Sequence, residues 1–87
     1  MELVIKYHGI YAELAGTAEE TVQIEEDATL KNLLHRLGEI HGPDFSQQLK
    51  EAAIFIGQDR GGFKKADLTE LVAPSATVII TPPIIGG

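Results

Sequence analysis

The sequence predicts an α+β fold in which one main helix packs on one face of a mixed β-sheet. Three observations lead to this prediction. Two stretches near the N-terminus alternate apolar and polar residues, as half-buried strands do. A central stretch carries an apolar stripe at helical spacing, and β-branched residues cluster close to the C-terminus. The 87 residues are enough for one small domain of this kind.

The first two strands are predicted from apolar residues that recur with a period of two. MELVIKYHG carries Leu3, Ile5 and Tyr7 in this pattern, and ETVQIEE carries Val22 and Ile24. Between them lies IYAELAGTAEE, which we interpret as a connection that its glycine breaks into a turn. A connection of this length favours an antiparallel hairpin.

The main helix is predicted over DATLKNLLHRLGEIHGP. Its apolar stripe comprises Leu30, Leu33, Leu34, Leu37 and Ile40. Asp27 or Thr29 is expected to cap its start, and Gly42-Pro43 is expected to end it. Gly38 inside the helix costs about 1 kcal/mol relative to alanine, so the stripe must compensate by packing on the sheet.

The second half of the chain predicts a short helix and two more strands. DFSQQLKEA favours the helix, AAIFIG a third, well-covered strand, and QDRGGFKKAD a loop. A turn at Ala73-Pro74-Ser75 precedes a last strand over 77–81. Pro82-Pro83 ends that strand, because proline has no N–H to donate to a β-ladder.

The predicted order is therefore two strands, one or two helices and two strands, in a mixed sheet of four to five strands. The last strand is expected to lie beside the first and parallel to it, as in the β-grasp (ubiquitin-like) fold. We expect a β-grasp domain over residues 1–81 and a flexible tail over residues 82–87.

Composition and charge argue against several classes of function. A net charge of −6 disfavours nucleic acid and anionic membranes as partners, because both need clustered basic residues. The chain has no cysteine and therefore no disulfide, thiolate metal site or cysteine nucleophile. His8, His35 and His41 show no metal-ligand spacing, and we interpret them as solvated surface residues.

No apolar stretch reaches the roughly 18 residues of a membrane span. Without a signal peptide at the N-terminus, a cytoplasmic location is expected.

The last six residues, PPIIGG, suit insertion into a partner. Pro82-Pro83 stiffens the root of this tail, and Ile84 and Ile85 have no core left to enter. Gly86 and Gly87 lack Cβ atoms and could pass through a narrow channel. Fully extended, the six residues reach about 18–20 Å. An apolar tail on a proline spacer favours insertion over a frayed terminus.

A C-terminal carboxylate at Gly87 has one obvious route to reactivity. ATP converts a carboxylate, which is a poor electrophile, into an acyl-adenylate with a good leaving group. A sulfur nucleophile then gives a thiocarboxylate, and an amine gives an amide. The absence of cysteine is compatible with the sulfur route, because no internal thiol competes for the activated acyl group.

Several segments resemble the small subunit of molybdopterin synthase, which belongs to the ubiquitin-like sulfur carriers. They are PPIIGG, YAELAG with the following EETVQI, the helix ATLKNLLHRL, and ADL before the final strand. The resemblance covers essentially the whole chain, and Pro82-Pro83 with Gly86-Gly87 is its most specific element. The chain departs from the family at Ile56-Gly57, where Asn-Gly is common, and over 73–76, where an acidic turn is common.

The resemblance implies that a ubiquitin-activating-like enzyme adenylates Gly87 and that a sulfur-donor protein supplies the thiocarboxylate sulfur. The tail would then enter the large synthase subunit and donate this sulfur to a pterin precursor. The implied partner-binding residues are Pro82, Pro83, Ile84, Ile85 and Gly86. The side chains that catalyse the pterin reaction belong to the large subunit, so this chain would be a sulfur-donor subunit. It would hold no metal and no stable cofactor, because the activating partner uses the ATP.

Three alternatives stay open at this point. The chain could carry sulfur for another pathway, such as thiamin synthesis or tRNA thiolation, although thiamin carriers are generally shorter and lack the Pro-Pro. It could be a protein modifier conjugated to lysines through Gly87. It could also be a β-grasp interaction module in which the tail has no role.

Overall fold

A computed structural model of the chain describes residues 1–58 and 61–83. Within them, five strands and three helices follow one another in an order that the sequence predicts only in part. They are β1 (Glu2–Tyr7), α1 (Ile10–Ala15), β2 (Glu19–Gln23), α2 (Leu30–His41), α3 (Pro43–Leu49), β3 (Ala53–Gln58), β4 (Gly62–Lys65) and β5 (Thr77–Thr81).

The strands form one mixed sheet in the order β2-β1-β5-β3-β4. β1 and β2 are antiparallel, with Leu3 opposite Val22, which confirms the predicted hairpin. β5 lies parallel to β1, with Val78 opposite Ile5, and antiparallel to β3 on its other side. The first and last strands are therefore central neighbours, as the β-grasp fold requires.

The core lies between one face of this sheet and the helices. The inward-facing strand residues and the buried helix residues form a single apolar cluster. Its fully enclosed members are Tyr11, Phe45, Leu3, Ile5, Leu30, Leu33, Leu37, Ile80, Val72 and Val78. We call the opposite, helix-free face of the sheet the open face.

The predicted stripe of α2 is confirmed except at its last residue. Leu30, Leu33 and Leu37 are buried, but Ile40 is 44% exposed. Each residue turns an α-helix by about 100°, so position 41, four residues after Leu37, continues the buried line. His41 occupies that position and packs against Phe45 at a ring-centroid distance of 4.9 Å.

The ends and the internal glycine of α2 are explained by local contacts. Thr29, one of the two predicted caps, accepts from the Asn32 N–H at 3.3 Å, while the Asn32 side chain accepts from the Thr29 N–H at 3.0 Å. The N–H of Gly42 closes the helix by donating to the Gly38 carbonyl at 2.8 Å. A Cβ atom at Gly38 would collide with the hydroxyl of Ser46 on α3. This glycine therefore permits the close approach of two helices.

Helix α1 is an element that the sequence does not predict. It begins after Gly9 and ends at Gly16, whose φ of 77° and ψ of 12° form a left-handed C-cap. Tyr11 is buried, and its hydroxyl donates to the Gln48 carbonyl at 2.8 Å. The six residues are too few for a helical period to stand out, and the tertiary contact to the segment ending α3 stabilises them.

Strand β4 is a second difference, because it lies inside the stretch predicted to be a loop. It pairs antiparallel with β3, with Phe63 opposite Gly57. All of its residues are exposed, so it lacks the alternating burial that marks a strand in the sequence. It lies at the edge of the sheet.

No helix in the described ranges has the length and apolar character needed to cross a membrane.

Candidate functional site

The predicted tail begins at the end of the central strand of the sheet. β5 is hydrogen-bonded to β1 and β3, and Val78 and Ile80 on it are fully buried. The pairing continues to the last residue of the strand, because Thr81 lies opposite Ala53. The N–H of His8 adds a bond to the Ile80 carbonyl at 2.9 Å. The root of the tail is therefore fixed to the core.

The first two residues of the predicted tail are exposed at this end of the sheet. Pro82 and Pro83 follow β5 directly, and neither belongs to a strand or helix. The ring of Pro82 lies against Gly9, since a Cβ atom at position 9 would be 2.9 Å from the Pro82 Cγ. The other predicted site residues, Ile84, Ile85, Gly86 and Gly87, lie outside the described residues.

The open face beside the root combines apolar and cationic side chains. Ile79 on β5 lies between Lys6 of β1 and Phe55 of β3, and Phe55 lies opposite Lys65 of β4. Ile79 and Phe55 are half-buried, whereas Lys6 and Lys65 are exposed. Half-buried apolar residues beside lysines, one of which (Lys6) also contacts Glu19 at 3.9 Å, are suited to contact a partner whose surface is mainly apolar.

Glycine at position 57 has a packing role on this same face. A Cβ atom there would collide with the backbone carbonyl oxygen of Gly62 and would be 2.7 Å from Cδ1 of Phe63, so the backbone of β4 and the Phe63 ring both cover the glycine. The residue at which the chain departs from the resembled family is Ile56, which is buried, whereas Gly57 is covered by β4 on the open face. Sequence reasoning did not place Phe63 on the open face, because β4 was not predicted.

A polar cluster on the helix side was also missed. The Tyr7 hydroxyl donates to Glu20 Oε2 at 2.5 Å, and His41 Nε2 donates to the same oxygen at 2.5 Å. The side chains of His41 and Glu20 are only 11% and 20% exposed. The interpretation of His41 as a solvated residue is therefore wrong, although His8 and His35 are exposed as expected. The available signal was the position of His41 on the α2 stripe.

This cluster stabilises the fold rather than supplying a reactive group. Burial raises the pKa of Tyr7, and the hydrogen bond and negative charge of Glu20 raise it further, so the phenol stays protonated at neutral pH. The edge-to-face contact of Tyr7 with Phe45 encloses it. The described residues contain no group of three or more histidine, aspartate or glutamate side chains arranged to hold a metal.

Comparison with known proteins supports the fold. No protein-family model and no curated protein matches the chain. Two crystal structures of small archaeal modifier protein 1 (SAMP1) of Haloferax volcanii are similar. One superposes with a TM-score of 0.76 at 23% identity, covering 100% of both chains. The other has a TM-score of 0.80 at 21% identity and covers 95% of this chain and 98% of its own.

A Pyrococcus furiosus structure assigned to molybdopterin converting factor, subunit 1, is also similar. Its TM-score is 0.72 at 19% identity, and the match covers 97% of this chain and 99% of the other. At identities this low, the structural similarity establishes the architecture alone. This architecture is the β-grasp, ubiquitin-like fold over essentially the whole length of each protein.

Proposed function

We propose that this chain is a ubiquitin-like sulfur carrier that works through a thiocarboxylate at Gly87. We further propose that it acts as the small, sulfur-donating subunit of a molybdopterin synthase. The observation that carries the proposal is the geometry of the tail root. The buried central strand ends at Thr81, and exposed Pro82 and Pro83 follow it directly, so the tail begins at a fixed point.

The proposed chemistry uses the terminus of the chain as the reacting group. A carboxylate oxygen of Gly87 attacks the α-phosphorus of ATP, and pyrophosphate leaves. Sulfur at the oxidation level of hydrosulfide then attacks the acyl carbon, and AMP leaves with the carboxylate oxygen that it gained. The ATP site belongs to an adenylating enzyme and the sulfur to a donor protein, so this chain needs no bound cofactor. Its own contribution is a terminus that reaches both partners.

The open face gives these partners a surface beside the tail. Ile79 lies in β5, which ends at the tail root, Phe55 lies in β3, which begins beside it, and Lys6 and Lys65 flank these two residues. A partner that receives the tail would cover these half-buried apolar side chains at the same time. We propose this mode of contact for the adenylating enzyme and for the large synthase subunit.

The similar structures support two versions of this proposal. The Pyrococcus furiosus protein favours the pterin pathway, because its assigned class is a molybdopterin converting factor. SAMP1 of Haloferax volcanii favours a second candidate function, in which the activated Gly87 forms an amide with a lysine of another protein. Both versions share the adenylation step and differ in the nucleophile.

The intact mass of the protein purified from its own host tests the proposal. We expect a fraction heavier by the mass difference between sulfur and oxygen, with the change mapped to Gly87 by fragmentation. Incubation with iodoacetamide, which alkylates the sulfur of a thiocarboxylate and not a carboxylate, should add one carbamidomethyl group to this fraction, because the chain has no cysteine. Gly87 recovered in an isopeptide with lysine would favour the modifier instead. A terminus that stays unmodified after incubation with the adenylating enzyme, ATP and sulfide would contradict both versions.

A further inference from the structure

The helix side of the sheet carries a groove that the proposed tail chemistry does not use. It has a volume of about 420 Å³ and lies between α2, the end of α3 and the β3–β4 edge. Its apolar lining includes Leu34, Leu49, Ala52, Ile54, Ala66 and Leu68. We call it the Leu68 groove. Its volume is within the range of small-molecule and side-chain binding clefts.

The lip of the Leu68 groove is apolar, exposed and held in place. Leu68 is 50% exposed and lies in an irregular segment. A polar residue at such a position would not destabilise the fold, so the exposed leucine is notable. The Leu68 carbonyl accepts from the Lys31 N–H at 3.0 Å, and the Ala66 N–H donates to the Ile54 carbonyl at 2.9 Å. These bonds attach both sides of the lip to regular elements. The groove is therefore formed before any ligand arrives.

The charge around the Leu68 groove is opposite to that of the whole chain. Lys31 and Lys50 line it and are exposed, and no aspartate or glutamate lines it. Among the described residues, neither lysine has a carboxylate within 4.0 Å. Lys65 also lines the groove, but it pairs with Phe55, which places its side chain on the open face.

A second groove of the molecule shows that this charge pattern is not general. The groove at the other side of α2 is lined by Glu25, Asp27 and Glu39 together with Arg36. The chain has 13 acidic and 7 basic residues, so a surface without carboxylates is unusual for it. An apolar floor bordered by ammonium groups that have no described carboxylate within 4.0 Å selects a ligand with the complementary pattern.

We propose that the Leu68 groove binds a short segment of a partner protein that carries apolar side chains flanked by carboxylates. The apolar side chains would cover Leu34 and Leu68, and the carboxylates would pair with Lys31 and Lys50. The pairing is charge-assisted, and the removal of Leu68 from water adds to it. This inference is independent of the tail, because the groove faces the helix side whereas Pro82 lies against Gly9.

The test uses a synthetic peptide and the isotope-labelled full-length protein. The peptide is Glu-Asp-Leu-Ile-Asp-Leu-Glu-Glu with blocked ends, and a control peptide replaces each acidic residue with lysine. We expect the acidic peptide to shift the amide resonances of Leu34, Ala52 and Leu68 in a saturable manner. The lysine peptide should shift none of them.

Two exposed leucines provide a matched pair of variants. Leu68→Glu adds a carboxylate to the lip of the groove and should weaken binding of the acidic peptide at least about tenfold. Leu71→Glu makes the same change three residues away at a 64% exposed leucine that does not line the groove. It should bind within about twofold of the original protein. Lys31→Glu should weaken binding about fivefold, as loss and reversal of one exposed charge pair predicts.

Four results would overturn the inference. The first is no saturable shift at any peptide concentration, and the second is equal binding of the acidic and lysine peptides. The third is concentration-dependent shifts of the same amides without peptide, with a dimer in sedimentation, which would assign the groove to a second copy of the chain. Loss of binding in both leucine variants alike would also contradict it, provided that both remain folded by their amide spectra.

Discussion

Gly9 and Pro82 are in direct contact, with 2.9 Å between the Pro82 Cγ and the point that a Cβ atom would occupy at position 9. The contact joins the turn before α1 to the first residue after β5. Gly9 also has a φ of 59° and a ψ of −133°, a conformation that residues with a side chain rarely adopt. Backbone conformation and packing therefore both require glycine at the root of the proposed tail.

Gly9→Ala is expected to lower the free energy of unfolding through two effects, the strained backbone conformation at position 9 and the collision of the new Cβ atom with Pro82. The positive φ costs about 1–3 kcal/mol for a residue with a Cβ atom, and the collision with Pro82 adds to this. The displaced ring would also change the direction in which the tail leaves the domain. Urea denaturation gives the stability, and the chemical shifts of residues around Pro82 report the displacement.

Two further variants separate these contributions. Gly16 has a φ of 77°, but no atom lies within 4 Å of the position of an added Cβ. Gly16→Ala should therefore lower the free energy of unfolding only through the strained backbone conformation. Pro82→Ala removes the Cγ atom, so the double variant Gly9→Ala/Pro82→Ala should regain part of the lost stability. Additive effects of the two single substitutions would mean that the contact contributes nothing.

Burial of two tyrosines predicts a loss of stability at high pH. Burial and then Glu20 raise the pKa of Tyr7, and burial and then the charge of Glu51 raise the pKa of Tyr11. Because the unfolded pKa is about 10, the unfolded chain loses these protons first as pH rises. The stabilisation is complete below about pH 9 and then falls by up to about 1.4 kcal/mol per pH unit for Tyr7, with a smaller further loss from Tyr11. Urea denaturation between about pH 8 and about pH 11 measures it.

Tyr7→Phe identifies the share of this pH dependence that belongs to the polar cluster. At neutral pH the free energy of unfolding of the variant should be lower by about 1–2 kcal/mol, because Glu20 loses one hydrogen-bond donor. Its stability should also fall less steeply above about pH 10, since one titrating group is gone. An unchanged slope would show that Tyr7 does not titrate differently in the folded and unfolded states.

The sequence predicts the parts of this molecule that depend on local periodicity. Leu3, Ile5 and Tyr7 alternate, and the α2 leucines repeat at helical spacing, so β1, the hairpin and the main helix follow from neighbouring residues alone. The parallel pairing of β1 with β5 follows from the order of the elements and the β-grasp arrangement. These features decide the fold class, which the structure confirms.

Features that depend on contacts distant in sequence were not predictable in the same way. Helix α1 depends on the bond from Tyr11 to the Gln48 carbonyl, and β4 depends on its pairing with β3. The burial of His41 was not predicted, because the apolar stripe of α2 was extended from Leu37 to Ile40. A rotation of about 100° per residue places position 41, and not position 40, on the buried side of the helix. The proposed chemistry rests on the last residues of the sequence, and the structure adds the fixed root at Pro82.

The turn before β5 predicts a stabilising substitution. Ser75 has a φ of 64°, and the Ala76 N–H donates to the Ala73 carbonyl at 3.2 Å. A left-handed residue with a side chain costs about 1–2 kcal/mol, whereas glycine costs about 0.5–1 kcal/mol in chain entropy. Ser75→Gly should therefore raise the free energy of unfolding by about 0.5–1 kcal/mol. Ser75→Ala keeps a Cβ atom and should leave the free energy of unfolding unchanged. A gain equal to that of Ser75→Gly would show that the left-handed conformation is not the cause.

The proposed insertion of the tail predicts unequal effects of two changes at Ile85. Ile85→Asp should weaken binding to the large synthase subunit or the adenylating enzyme, because a carboxylate would have to leave water for an apolar channel. Ile85→Val keeps an apolar side chain and should bind within about fourfold, the effect of one lost methylene. Isothermal titration with each partner measures both. Equal affinities for the two variants would show that this side chain is not buried in the complex.

One alanine added after Gly87 is expected to abolish sulfur transfer and leave the stability unchanged. The addition moves the terminal carboxylate by about 3.3 Å, and a displacement of about 1 Å can slow a positioned reaction about 100-fold. The paired part of β5 ends at Thr81, so the added residue is separated along the chain from the paired strand. The measurement is thiocarboxylate formation, by intact mass, after incubation with adenylating enzyme, ATP and sulfur donor. The unextended chain is the positive control, and equal urea denaturation of both chains would establish that the fold is intact. Thiocarboxylate formation and sulfur delivery by the extended chain at the original rate would disprove the assignment of Gly87 as the sulfur-bearing residue.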